Sequence, residues 1–288
     1  MPIAESELIL NADGSIYHLN LLPEDVADTI ITVGDPDRVP DVSKYFDSIE
    51  LKKGKREFIT HTGVLNGKRI TVISTGIGTD NIDIVINELD ALVNVDLISR
   101  KVKPTKRNLN IVRIGTSGAL QKDIPVDSII LSKTAIGLDG LLHFYQSQNT
   151  QNTALVEALS KHLNWGRYKI HPYGFNCDEN LAQTLMGNHI RLGITITNAG
   201  FYAPQGRQIR LEPNLTDFHK KLQSFVLEDE KLTNLEMETA GIYGLSKLLG
   251  HKAVSMNAIL ANRATGAFSK EPSKTVDSLI KYCLQQLT

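Results

Sequence analysis

The chain has 288 residues, enough for a large α/β domain with a well-buried core. Its 31 Lys+Arg nearly cancel its 32 Asp+Glu, which leaves no global charge to hold a nucleic-acid backbone or an anionic membrane, so any anion recognition must be local. Cys177 and Cys283 stand apart rather than at metal or redox spacing, no basic-then-apolar leader opens the chain and no segment has the length of a membrane span; a cytoplasmic protein is expected.

Strand-like and helix-like runs then alternate. TIITVG (29–34) and RITVIST (69–75) read as strands, and NIDIVINELDALVNV (81–95) as a helix whose Ile82, Val85, Ile86, Leu89, Leu92 and Val93 keep the 3.6-residue period. Strands LNIVRIG (109–115) and DSIILSKTAI (127–136) follow, then helix TALVEALSKHL (153–163) and strand RLGITITNA (191–199). The remainder reads as helices NLTDFHKKLQSFV (214–226) and METAGIYGLSKLLG (237–250), strand KAVSMNAILA (252–261) and helix SKTVDSLIKYCLQQL (273–287). Gly250 is placed to end one helix and Pro272 to begin another. Residues 139–180, rich in His, Tyr and Asn, suggest loops. Consecutive apolar residues in several strands imply a sheet covered on both faces. With no repeat or Pro/Gly linker, the expected architecture is one domain over residues 1–288, an α/β three-layer sandwich with a mixed, largely parallel central sheet flanked by helices.

Ligands of such sheets gather at the carboxyl ends of strands, so the loops there matter most. In TVGDPDRV, Gly34 lets a backbone N–H approach an anion and Arg38 supplies a forked donor; an ordinary turn with a solvated arginine is equally compatible. STGIGTDN fails the dinucleotide fingerprint because Asn81 stands at its third glycine position, and Asp80 or Asn81 is expected to cap the following helix. IVRIGTSGAL sets Arg113 in an apolar strand ahead of Thr116, Ser117 and Gly118. Such a cation needs a partner, either a structural carboxylate or, as the neighbouring hydroxyls favour, a bound oxyanion. FYAPQGRQ offers Phe201 to stack on a planar ligand, with Gln205 and Arg207 to hydrogen-bond its edge. NLEMETAGIYG opens an apolar run with Glu236 and Glu238, which a helix start alone would also welcome.

TVGDPDRV, REF (56–58), TGIG, RIGTSGA (113–119), FYAPQGR, EME (236–238) and NR (262–263) occur in the order and approximate spacing of the nucleoside phosphorylase-I family, and resemble its uridine phosphorylase branch, from about His18 to Arg263. The resemblance implies that Gly34, Arg38 and Arg113 bind phosphate with the Thr116 hydroxyl, which also nears the ribose. It implies that Arg56 and His18 reach a neighbouring subunit's site, making a homo-oligomer, at least a dimer and on the family pattern up to a hexamer. Met237 would pack on the ribose and Glu238 accept its hydroxyls, while Glu236 helps fix the base loop. The base would lie among Phe201, Gln205, Arg207 and Gly118. Purine-selective relatives carry an aspartate where this chain has Asn262-Arg263, which points to a pyrimidine nucleoside.

The implied reaction is reversible phosphorolysis, uridine plus phosphate giving uracil and ribose 1-phosphate, with Arg207, Gln205 and Glu238 as its catalytic groups and inorganic phosphate as co-substrate. No cofactor or metal is expected. Some relatives hold a monovalent cation through the glutamate of REF, here Glu57, but Thr79-Asp80-Asn81 replaces the Gly-Pro-Ser that completes that site. The family loop usually has an acid between Gln and Arg, where this chain has Gly206. Residues 208–232 are expected to form a solvated covering helix, with a lid as the alternative, and Cys177 to pack rather than react. Beside pyrimidine phosphorolysis stand a purine nucleoside phosphorylase or a nucleoside hydrolase of the same superfamily, the latter opposed by the three arginines, and, in another class, a non-catalytic nucleoside-binding protein.

Overall fold

A computed structural model describes residues 1–164 and 171–288. Its strands are β1 (Thr29–Val33), β2 (Ser48–Lys55), β3 (Phe58–Leu65), β4 (Lys68–Ser74), β5 (Val95–Asp96), β6 (Lys101–Val102), β7 (Asn110–Ala119), β8 (Ile129–Gly137), β9 (Tyr173–Asn176), β10 (Ile190–Thr197), β11 (Val226–Leu227), β12 (Glu230–Glu236) and β13 (Lys252–Asn262). The helices are α1 (Arg38–Ser43), α2 (Thr79–Asn94), α3 (Thr153–Leu163), α4 (Glu179–Leu185), α5 (Phe218–Ser224), α6 (Thr239–Leu249) and α7 (Pro272–Leu287).

Apart from the small β5–β6 hairpin, the described strands join one mixed sheet in the order β11-β12-β10-β8-β13-β7-β1-β4-β3-β2, with β9 added beside β8. Two parallel blocks, β12-β10-β8 and β13-β7-β1-β4, meet at the antiparallel β8–β13 contact. β12 also pairs antiparallel with the end of β7, Leu235 opposite Gly118 and Asn234 opposite Ala119, so the sheet curls until its two blocks touch. This is the expected mixed, largely parallel sheet between helices.

The apolar strand runs follow from two-sided burial. Successive residues point to opposite faces. On β1, Ile30 joins Ile82, Val85 and Leu89 of α2, whereas Ile31 joins Val39 of α1 and Leu279 and Ile280 of α7. Ile111 and Val112 of β7 divide in the same way.

The anticipated strands and helices form, with shifts at their ends. Gly250 takes a left-handed φ of 85° at the end of α6, and Pro272 opens α7. Neither Asp80 nor Asn81 caps α2: its N-cap is Gly78, with no side-chain cap, and the Glu238 carboxylate accepts the Gly78 N–H at 2.8 Å instead. The helix read over 214–226 contracts to α5, and that read from Met237 begins at Thr239, because Glu236 still belongs to β12. β12 escaped notice because its buried side chains include Thr233 and Asn234, whose partners are the Ile194 carbonyl, Thr195 and Ser117. β3 is masked in the same way by buried Thr60, His61 and Thr62, whereas β2 is a solvent-facing edge strand rich in Lys that has no buried apolar run to show. Within 139–180 the structure adds β9 and the start of α4 to the expected loops and α3; residues 165–170 of that stretch lie outside the described residues. Among the described residues no helix is long and apolar enough to cross a membrane.

Helix α6 is fastened to the sheet by Tyr243. Its buried hydroxyl donates to the Ser132 carbonyl of β8 at 2.6 Å and accepts the Ser255 N–H of β13 at 2.8 Å. Tyr243→Phe strands both backbone groups in the core and is expected to cost about 1–3 kcal/mol, read as a lower urea midpoint with unchanged slope.

Candidate active site

The carboxyl ends of β1, β7, β10, β12 and β13 surround a cavity of about 780 Å³. At its centre lies Arg113, almost wholly buried on β7. Its Nη2 donates to Glu238 Oε2 at 2.5 Å and stands 3.3 Å from Glu236 Oε2, while Nη1 donates to Asn257 Oδ1 at 3.0 Å. The carboxylate alternative for Arg113 is therefore realised, and the guanidinium still faces the cavity. Gly115 makes this fold-back possible, since a Cβ there would lie 1.7 Å from Arg113 Nη1.

The two glutamates have different tasks. Glu236 accepts the N–H groups of Glu238 and Thr239 at 2.9 Å, the Thr239 hydroxyl at 2.8 Å and the Thr197 hydroxyl at 2.5 Å. It thus anchors the start of α6 and, through Thr197, the end of β10 from which the 198–207 loop departs. Glu238 reaches further into the cavity, between Gly78 N–H and Arg113, with Met237 beside it. Burial holds the Glu238 carboxyl above the usual carboxylate range, Arg113 opposing and Glu236 reinforcing the shift. Burial disfavours the charge on Arg113, but Glu236 and then Glu238 outweigh it and raise its proton affinity.

One end of the cavity is suited to an anion. Gly34 and Arg38 line it, with Thr116 and the Gly76–Ile77 turn nearby. A Cβ on Gly34 would meet Gly76 O at an ordinary 3.5 Å, so the protein's own packing does not demand glycine there. Arg38 opens α1; its guanidinium has no hydrogen bond or ion pair with a described residue, and burial followed by Arg113 lowers its proton affinity. A half-buried, unmatched guanidinium facing open space is a ready anion ligand.

The opposite end carries the planar-ligand groups. Arg207 Nη1 donates to Gln205 Oε1 at 2.6 Å and to the Phe201 carbonyl at 2.7 Å, and its guanidinium stacks 3.8 Å from the Phe201 ring centre. Gln205 is buried and Phe201 half-exposed. Burial, then Arg263, pushes Arg207 down to about 10. Leu235, Leu260 and Phe268 supply apolar wall, and the Arg263 stem lies over Gly118, where a Cβ would meet it at an ordinary 3.5 Å. Asn262 turns away: its amide donates to the Gln121 and Ile124 carbonyls and accepts the Ala264 and Thr265 N–H groups.

His18 and Arg56 do not line this cavity. Arg56 is exposed at the tip of the β2–β3 hairpin with a left-handed φ of 55°, followed by Glu57 at the cavity edge. His18 packs 6.5 Å from the Phe58 ring at the base of the same tip, and Glu88 holds its Nδ1 at 2.6 Å. No group of three or more His, Cys, Asp or Glu side chains able to hold a metal occurs among the described residues. Cys177 is half-buried, and burial pushes its thiol up to about 11, which makes it a poor nucleophile.

Two site residues were not assigned roles from sequence. Arg263 stands in the NR motif with no role of its own there, yet it reaches Gln205 O at 3.4 Å. His219, on α5, gave no local signal; its ring stands beside Gly206.

The phosphorylase superfamily model matches residues 28–284. The chain is 30% identical over 265 residues to a uridine phosphorylase of Thermococcus kodakarensis, covering 91% of this chain and 83% of that protein. It is 25% identical over 272 residues to a DeoD-type purine nucleoside phosphorylase of Shewanella denitrificans, covering 91% and 94%. A solved Trypanosoma brucei nucleoside phosphorylase, described as showing uridine phosphorylase activity, superposes with a TM-score of 0.85 at 28% identity, covering 97% of this chain and 99% of that one. A match of this extent, over a cavity with an anion-ready arginine at one end and a planar-ligand edge at the other, means that the chain belongs to the phosphorylase superfamily and is a pentosyltransferase of the nucleoside phosphorylase type.

Proposed function

We propose that the enzyme catalyses reversible phosphorolysis of a pyrimidine nucleoside, uridine plus phosphate giving uracil and ribose 1-phosphate. The observation that carries this reading is the base end of the cavity. Gln205 and Arg207 form a hydrogen-bonded pair there, Arg263 stands behind them, and Asn262 spends its hydrogen bonds on backbone. A uracil edge, with carbonyl and N–H groups, matches an amide and a guanidinium. A purine ring nitrogen awaiting a proton finds no carboxylic acid at that position.

In this reading phosphate lies on Gly34, Arg38, Arg113 and Thr116, the ribose between Met237 and Glu238, and the base against Phe201, Gln205 and Arg207. Glu238 accepts the ribose hydroxyls while Arg113 and Gly78 N–H hold its carboxylate in place. As the C1′–N1 bond breaks, its electron pair moves to the base and positive charge grows on the sugar. A phosphate oxygen then forms the new bond to C1′, and the uracil anion takes up a proton. Neither Arg207 nor Arg263 behind it contacts a carboxylate among the described residues, so the Arg207 charge, reinforced by Arg263, is free to stabilise the departing base. His18 and Arg56 from a neighbouring subunit would close the phosphate and ribose side, in keeping with their absence from the lining of this chain's own cavity and the exposure of Arg56.

Three outcomes are expected. Assayed on uridine, thymidine, cytidine, inosine and adenosine, with and without phosphate, the enzyme should release base from uridine or thymidine in a phosphate-dependent way; release from inosine or adenosine would assign it to purines, and release without phosphate would make it a hydrolase. Arg207→Ala should lower kcat/KM for uridine about 10²- to 10³-fold with the KM for phosphate unchanged, the size expected for removing a preorganised donor from a developing anion. Arg38→Ala should do the reverse in initial-rate measurements, raising the KM for phosphate about 10-fold or more while leaving the KM for uridine near its original value.

A further inference from the structure

Gly206 occupies the position at which the family loop usually carries an acid, and its surroundings are specific. It adopts a left-handed φ of 65°, and a Cβ built on it would lie 2.7 Å from Cε1 and 3.0 Å from Nδ1 of His219. A side chain at 206 and the ring at 219 therefore compete for the same space. The ring comes from the second residue of α5, whose Phe218 and Leu222 are buried with Leu159, Leu163 and Phe225. The wedge is thus held from the core. His219 Nε2 is buried without a hydrogen-bond partner among the described residues.

The charge state fits the location. Burial, then Arg263, pushes His219 down to about 4, and the Arg207 charge adds to the shift while the Gln205 carbonyl opposes it. The ring is neutral at pH 7 and adds no third positive charge beside the two guanidiniums. Unlike an acid, it also leaves their charge uncancelled.

We propose that His219 is a positioning residue of the base pocket, its ring seated over Gly206 so that the Gln205–Gly206–Arg207 turn presents both side chains to the base edge without an acidic neighbour. The proposal rests on the pyrimidine phosphorolysis reading.

The test is a double-mutant cycle with His219→Ala, Gly206→Asn and the combined variant, uridine and phosphate being varied separately. Asparagine tolerates the left-handed backbone but displaces the ring. Each single variant should raise the KM for uridine about tenfold with the KM for phosphate and the unfolding temperature little changed, and the combined variant should be no worse than either single, because both remove one contact. A KM for uridine within about twofold of the parent in His219→Ala, or losses that multiply in the combined variant, overturns the proposal. Should His219→Ala fail to fold, Gly206→Asn alone carries the same expectation. A parent enzyme inactive on uridine would strike at the substrate reading instead, and the cycle repeated on the nucleoside it does cleave would then decide the role of His219.

Discussion

Arg113 is placed where water cannot reach it, and the surrounding structure is arranged to answer that charge. Taking a guanidinium and two carboxylates out of water costs several kcal/mol per ion, recovered only if geometry is good and the remaining donors and acceptors are filled. Here Asn257 takes one donor of Arg113, Gly78 N–H approaches Glu238, and Glu236 is filled by Thr197, Thr239 and two backbone amides. The consequences reach β7, β10, β12, β13, the α2 entry and the α6 start, all of which converge on three side chains. Gly115 has to be glycine because the guanidinium folds across it. The same cluster that fixes these elements also supplies the polar centre of the cavity.

The two ends of the cavity differ in how their charge is held. At the end proposed for phosphate, the Arg38 guanidinium lacks a partner among the described residues, a state that suits an anion arriving from solvent. At the base end, Arg207 and Arg263 are held by carbonyls, an amide and an aromatic face. An ion pair there would give up part of its field to the protein, whereas neutral acceptors leave that field for the leaving base. Between them Glu238 is the negative group, placed where oxocarbenium-like charge on a sugar would develop in the proposed reaction.

Much of this was legible in the sequence because the signals were local. The 3.6-residue period of α2 and the doubly buried runs of β1, β7 and β13 appear as apolar patterns; Gly34 stands directly after β1 with Arg38 opening α1, and Gln205 and Arg207 lie in the loop that leaves β10. β12 was hidden because its interior is a polar network rather than an apolar stripe, and a period cannot report Thr233 bonding Ile194 across the sheet. The expected cap at Asp80 or Asn81 failed for a related reason, since the group that meets the α2 entry, Glu238, is 160 residues away in sequence. Arg113 was readable as a costly cation; that its cost is met by Glu236 and Glu238 required the curl of the sheet. His219 had no local mark, as its position makes sense only against a glycine on another loop.

That curl has one more effect. Because β12 pairs with both β10 and β7, the strands β7-β13-β8-β10-β12 close a hydrogen-bonded ring around the floor of the cavity. A ring of ladders cannot splay open at one seam without breaking bonds at another, so breathing of the sheet is a poor gate for a molecule as bulky as a nucleoside. Traffic then passes through the rim, where Phe201 lines the cavity and stands exposed on the loop after β10, outside the ladders. The floor then acts as a rigid anvil and the rim as the jaw, which separates two evolutionary freedoms: rim residues can vary with substrate and turnover, while floor residues are bound to one another.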